Sequence, residues 1–154
     1  MVQHIKAPVQ HIAEPNRRFS HIHVDVVGPL PCSSEGYTHL FTIVDRSTRW
    51  TEAVPLRSTT VEACMQALFT GWVSRFRIPA HITSDRGVQF TSSLWSSLCS
   101  KLGISHHPTT AYHPHWIPQA NKLVERFHRQ LKNSLRSWLC GQDWISHLPW
   151  VCWV

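Results

Sequence analysis

Apolar residues along this chain fall first into short runs and only later at helical spacing. Phe19 to Val27 (FSHIHVDVV) is dense in β-formers and is closed by Gly28-Pro29, and Thr38 to Val44 (THLFTIV) is a second apolar run. Trp50 to Leu56 makes a third, and the turn residues between Pro31 and Gly36 keep the first link short. Three strands joined this way predict an antiparallel meander. The period then changes. Thr60 is a good N-cap, and Val61, Cys64, Met65, Leu68, Trp72 and Phe76 recur at helical spacing up to the break at Pro79. Ala80 to Ser84 reads as a short strand stopping at Asp85. Ser92 to Leu102 reads as an amphipathic helix ended by Gly103, and Ile104 to His107 as a fifth strand. A proline-rich loop from Pro108 to Pro118 leads into a long helix, Ala120 to Cys140, with Leu123, Phe127, Leu131, Leu135 and Trp138 on its apolar face. Trp144 to Val154 begins another element. Residues 1–18 read as an extended, polar leader. The order predicts a mixed α/β sheet of five strands flanked by helices.

Composition narrows the class. A length of 154 residues with 42% hydrophobic positions suits one domain with an apolar core. No run of roughly 18 apolar residues is present, so no membrane span is expected, and the first residues lack the apolar stretch of a secretory signal. The five cysteines form no C-x-x-C pair, and an odd number closes no disulfide set; they read as reduced, mostly buried thiols of an intracellular protein. Fifteen Lys plus Arg against nine Asp plus Glu favour a polyanionic partner, although basicity alone does not single out nucleic acid. Twelve histidines raise the question of zinc. The pairs His21/His23 and His113/His115 are each one residue apart with no cysteine pair beside them, a spacing foreign to structural zinc, so no zinc is expected. The eight tryptophans are expected in the core, with Trp116 the exposed one.

Three of the nine carboxylates sit where chemistry is possible. Asp25 lies in the middle of the most strand-like segment, where an acid needs a donor, a cation or a metal; a bond to a neighbouring strand or an edge position would also explain it. Asp85 ends an apolar strand, and ligand groups gather at the carboxyl ends of strands in α/β sheets, although a lone S-D-R-G also suits a turn. Glu125 shares a face of the long helix with Lys122, Arg129, Lys132 and Arg136, either as a solvated stripe or as a carboxylate beside phosphate-binding cations. Two sheet aspartates and a helix glutamate can converge at one sheet edge. Hard oxygen donors of this kind suit two Mg²⁺ or Mn²⁺ ions in phosphoryl transfer.

The segments Arg18 to Pro31 (RFSHIHVDVVGPLP), Phe41 to Pro55, Ile82 to Thr91 (ITSDRGVQFT), Thr109 to Pro114 (TTAYHP) and Leu123 to Lys132 (LVERFHRQLK) occur in order. With them the chain resembles the integrase catalytic core of long-terminal-repeat retroelements, the Ty3/gypsy type in particular. The resemblance implies a ribonuclease-H-like fold and a D,D-35-E triad of Asp25, Asp85 and Glu125 binding two Mg²⁺ (or Mn²⁺) ions. It implies DNA contacts from Gln119, Asn121, Arg129 and Lys132, element ends and target DNA as partners, assembly as a dimer or higher multimer, and work in the nucleus. Residues 1–16 correspond to a linker remnant and residues 17–154 to the core. Three departures stand out. Thirty-nine residues separate Asp85 from Glu125, and the excess of four is assigned to His115, Trp116, Ile117 and Pro118. Lys122 replaces a glycine, and the C-terminal helices are expected to be truncated. The alternative these suggest is an inactive relic that acts at most as a DNA-binding or interaction domain.

Overall fold

The computed structural model describes residues 17–109, 126, 129–131, 133–134 and 144–152. Its elements are β1 (His21–Val27), β2 (His39–Asp45), β3 (Thr51–Leu56), α1 (Val61–Leu68), a π-helical turn (Phe69–Val73), β4 (His81–Ser84), α2 (Val88–Thr91), α3 (Ser93–Lys101), β5 (Ser105–Pro108) and α4 (Trp144–Cys152). The sheet runs β3-β2-β1-β4-β5. The meander is antiparallel, while β4 joins β1, and β5 joins β4, in parallel. Both edge strands contain proline, Pro55 in β3 and Pro108 in β5, and a residue without an N–H is tolerated where there is no inner ladder to complete. No helix among the described residues is long and apolar enough to cross a membrane.

Alternation in β1 separates two layers. Ile22 and Val24 point to one face and join Phe41, Ile43, Leu68, Trp72, Ile82, Phe90 and Trp95 in the main core under α1, α2 and α3. His21, His23, Asp25 and Val27 share the other face. There, Val27 and Leu40 pack with Leu131, Trp144 and Leu148, and the Trp144 indole N–H donates to the Pro31 carbonyl at 2.7 Å. Burial of Leu131 at 2% exposure beside an exposed Arg129 agrees with the expected apolar and basic faces of the long helix. Most of that helix, including Glu125 and Lys132, lies outside the described residues, as do residues 1–16, the loop residues from Thr110 to Pro118, and with them Trp116.

Local details both follow and amend the sequence. Thr60 caps α1 through its side chain to the Ala63 N–H, and Gly103 takes the left-handed φ of 70° that ends α3. The single helix expected from Val61 to Phe76 instead widens into a π-turn. A Cβ at Gly71 would lie 2.5 Å from Val54 Cγ2, so the helix meets β3 closely within that turn. The helix expected from Ser92 to Leu102 is α3, capped by the Ser92 hydroxyl at the Trp95 N–H, while the ψ of 152° at Ser92 sets it off from α2, a short helix that the sequence pattern did not predict. The leader does not run extended into β1. Arg17 to Ser20 form a turn in which Phe19 adopts φ 65°, stacks 4.2 Å from Phe76 and meets Trp72 edge-on. Among the cysteines, Cys64 and Cys99 are buried and burial pushes both thiols up to about 11, whereas Cys32 is exposed. Trp72, Trp95 and Trp144 are core residues as expected; Trp50, 40% exposed, is not.

Histidines cross the polar part of the second face as a ladder. His21 lies 5.4 Å from His81, and His81 stacks on His107 at 5.5 Å. Arg46 places a guanidinium nitrogen 3.1 Å from His21 Nε2. Burial, then the Arg46 charge, then His81, His107 and His23 push His21 from its ordinary 6.5 down to about 3. The unfolded chain therefore takes up a proton near pH 6.5 that the folded chain refuses until about pH 3, so stability present above pH 6.5 is lost as pH falls through this window. His106 and His107, also pushed down by burial, act in the same direction. Thermal melts at about pH 7 and about pH 4.5 should show a lower midpoint in acid, and His21→Asn should shrink the difference. An equal acid loss in both proteins would remove His21 as its source.

Candidate active site

The site begins with a register. His21 pairs with His81, Ile22 with Ile82 and His23 with Thr83, each 60 positions apart. The same offset carries Asp25 to Asp85, on the same face because side chains alternate with a period of two. Asp85 is the first residue past β4, and both aspartates line one cleft of about 240 Å³ at the carboxyl ends of β1 and β4. Gly28, His39, Thr59 and Gln89 complete its polar rim.

Each carboxylate is oriented locally. Asp25 is half-buried; its Oδ1 accepts the Val26 N–H at 2.8 Å, and Thr42 Oγ1 donates to its backbone carbonyl at 3.3 Å. Asp85 is exposed, and its Oδ1 accepts the Gly87 N–H at 2.9 Å, so the turn role expected of S-D-R-G is realised inside the cleft. The backbone beneath Asp85 is fixed from below. Ser84, fully buried, donates its hydroxyl to the Asp85 carbonyl at 2.8 Å and sits 2.7 Å from His106 Nε2, while the Thr109 N–H reaches the Ser84 carbonyl at 2.7 Å. With the serine proton committed to Asp85, the imidazole Nε2–H is the donor of the 2.7 Å contact.

Of the remaining expected site residues, Arg129 is exposed and helical, whereas Glu125, Gln119, Asn121 and Lys132 lie outside the described residues. Asp45 and Glu52 lie outside the cleft and have structural roles. Asp45 is fully buried and accepts from the Phe19 N–H, the Thr48 N–H and the Thr48 hydroxyl, and Glu52 pairs with Arg75 at 2.7 Å. Sequence reasoning passed over His39, Thr59 and Gln89. Gln89 alone carried a signal, since it falls four residues after Asp85 at the start of a helix.

A pair of hard-oxygen donors facing one polar cleft fits a divalent cation such as Mg²⁺. Among the described residues no group of three His, Cys, Asp or Glu side chains could hold a metal.

A mixed five-stranded sheet in the order β3-β2-β1-β4-β5, with helices on both faces, defines a ribonuclease-H-like fold. Residues 15–114 match the family model described as the integrase core domain, and the chain belongs to that family. It is 31% identical over 146 residues to the Pro-Pol polyprotein of simian foamy virus type 3 (strain LK3), covering 94% of this chain and 12% of the relative. It is 34% identical over 116 residues to the Gag-Pol polyprotein of avian reticuloendotheliosis virus, covering 74% and 10%. The Retrovirus-related Pol polyprotein from transposon 412 of Drosophila melanogaster is 28% identical over 132 residues, covering 84% and 10%. The chain thus spans about a tenth of the length of the curated relatives it matches. Among solved structures, the catalytic core domain of BIV integrase matches with a TM-score of 0.60 at 24% identity, covering 77% of this chain and 70% of that one. The HTLV-2 integrase catalytic core domain, in complex with magnesium and in a dimeric form, matches at 0.64 and 20%, covering 88% and 85%. At these identities the two structures speak for the fold, which is the ribonuclease-H-like one the motifs imply.

Gly28 bounds the cleft with φ 146°, and a Cβ there would lie 2.5 Å from His39 Cδ2. Gly28→Ala is therefore expected to cost on the order of 1–3 kcal/mol in a urea titration, from backbone strain and the displaced imidazole together. An unchanged midpoint would show that neither constraint holds.

Proposed function

We propose that this chain is the catalytic core of a DNA-integrating polynucleotidyl transferase, with Asp25, Asp85 and Glu125 as its acidic triad. The observation that carries the reading is the aspartate pair brought into one cleft by the β1–β4 register. Family membership supplies the reaction class. Glu125 rests on the family motif alone; burial of Leu131 with Val27 and Leu40 lays its own part of the chain on the sheet face that carries Asp25.

Asp25 and Asp85 would hold Mg²⁺ or Mn²⁺, with Glu125 completing the set. Bound there, the ions would supply charge neutralisation at the scissile phosphate and lower the pKa of an attacking water. The chain's own part is positioning. The Val26 and Gly87 N–H groups aim the two carboxylates, and the buried Ser84 fixes the backbone under Asp85. Gln119, Asn121, Arg129 and Lys132 would hold the DNA, and the sites of action would be the element's DNA ends and a target duplex in the nucleus. A dimer or higher multimer is proposed on family grounds. The four extra residues between Asp85 and Glu125 favour a second reading, a DNA-binding remnant without turnover.

Strand transfer with Mg²⁺ on an oligonucleotide carrying an element end tests the reading. Activity in the parent chain, lost by more than about 100-fold in Asp25→Asn or in Asp85→Asn, is expected, because even outer-shell changes at metal sites cost about 10–100-fold. Activity that persists in the double variant contradicts the triad. A parent chain that binds DNA but is inactive until residues 115–118 are removed contradicts turnover in this chain and selects the remnant.

A further inference from the structure

The end of the sheet opposite the cleft carries a concentration of arginine that the proposed reaction does not use. Arg17 and Arg18 lie on the turn entering β1, and Arg46 and Arg49 on the turn leaving β2; Arg77 follows Phe76 beyond the π-turn. All are exposed except Arg46, which is partly covered over His21. The two turns are held together by Asp45, whose Oδ1 accepts the Phe19 N–H at 3.1 Å while Oδ2 takes the Thr48 N–H and hydroxyl. The carboxylates at this end are thus committed elsewhere: Asp45 is fully buried within the turns, and Glu52 is engaged by Arg75 and by the Trp50 indole N–H at 2.7 Å.

A second observation concerns the backbone. Phe19 and Arg49 are the two non-glycine residues with positive φ among the described residues, at 65° and 63°, and they occupy these same two turns. L-residues resist that conformation, so the turns keep a strained geometry that presents Arg18 and Arg49 on neighbouring loops. Beside Arg49, Trp50 leaves 40% of its surface exposed. Arginine forks match phosphate geometry, and an exposed aromatic among them is the pattern of a nucleic-acid surface more than of an acidic-peptide one.

We propose that the turns at Arg17–Ser20 and Asp45–Trp50 form a second DNA-backbone contact, separate from the cleft. His21, within the patch, stands four residues before Asp25, about 13 Å along β1. The contact does not rest on the catalytic reading. It gives the chain two places to grip DNA, one at each end of the sheet.

The test is a fluorescence-anisotropy titration of the full chain with a labelled duplex of arbitrary sequence, in EDTA, across a salt series. R18Q/R49N removes two charges, and asparagine accepts the left-handed backbone at position 49, so melting temperature should hold or rise. Affinity at low salt should fall about tenfold, and the slope of log K against log[salt] should drop by about 1.8, at about 0.9 per phosphate lost. The control R57Q/K101Q removes the same charge elsewhere and should keep the slope. Because binding is read at equilibrium in EDTA, loss of this contact is told apart from loss of catalysis. Equal slopes in R18Q/R49N and the control overturn the proposal. So does polyglutamate of matched charge that binds as tightly as DNA and depends equally on these arginines.

Discussion

The parallel pairing of β1 with β4 is the contact on which the site depends. β1 is the first strand of an antiparallel meander, and its other edge is free to accept a strand that arrives after a helix. A crossover through α1 delivers β4 there in parallel, so the two strands end at the same side of the sheet. An antiparallel β4 would have put Asp85 at the opposite end from Asp25. A slip of one residue would have turned the aspartates to opposite faces. The register is held by what lies on the β4 side: Ile22 and Ile82 are adjacent and both fully buried, so slippage would expose one of them.

Around that pairing, polar and apolar surface are sorted by position along the strands. The main core covers one face, and the smaller cluster of Val27, Leu40, Leu131, Trp144 and Leu148 covers only the far end of the other. Between them the second face stays polar, with the histidine ladder at one end and Asp25 at the other. The ladder tolerates Arg46 because burial holds His21 neutral, and a protonated imidazole under that guanidinium would repel it. Asp45, buried but fully hydrogen-bonded, shows the other way a charge survives here: its three donors offset the cost of leaving water.

What the sequence revealed was local. Strand runs, the Thr60 cap, the Gly103 stop and the apolar face containing Leu131 each follow from residues a few positions apart. The motifs around Asp25 and Asp85 carried the family and the fold. The rest required distant parts of the chain to meet. Phe19 gives no glycine or asparagine signal for its left-handed turn, which is held by Asp45 and by stacking on Phe76. The widened turn at Gly71 reflects β3 approaching from outside the helix. His39 and Thr59 reach the cleft from β2 and from the approach to α1, and no local pattern marks either. The offset of 60 between β1 and β4 is a tertiary quantity that no spacing rule contains.

One cation site shared by Asp25 and Asp85 is the proposal on which the function rests. Titration of the full chain with Mn²⁺, followed by the electron paramagnetic resonance signal of the free ion, tests it without DNA and without turnover. Shared ligation predicts saturable binding in the parent chain, and weakening by more than about tenfold in Asp25→Asn and in Asp85→Asn alike, with the double variant little worse than either single one. Binding that survives in one single variant, or losses that simply add, would contradict a shared site.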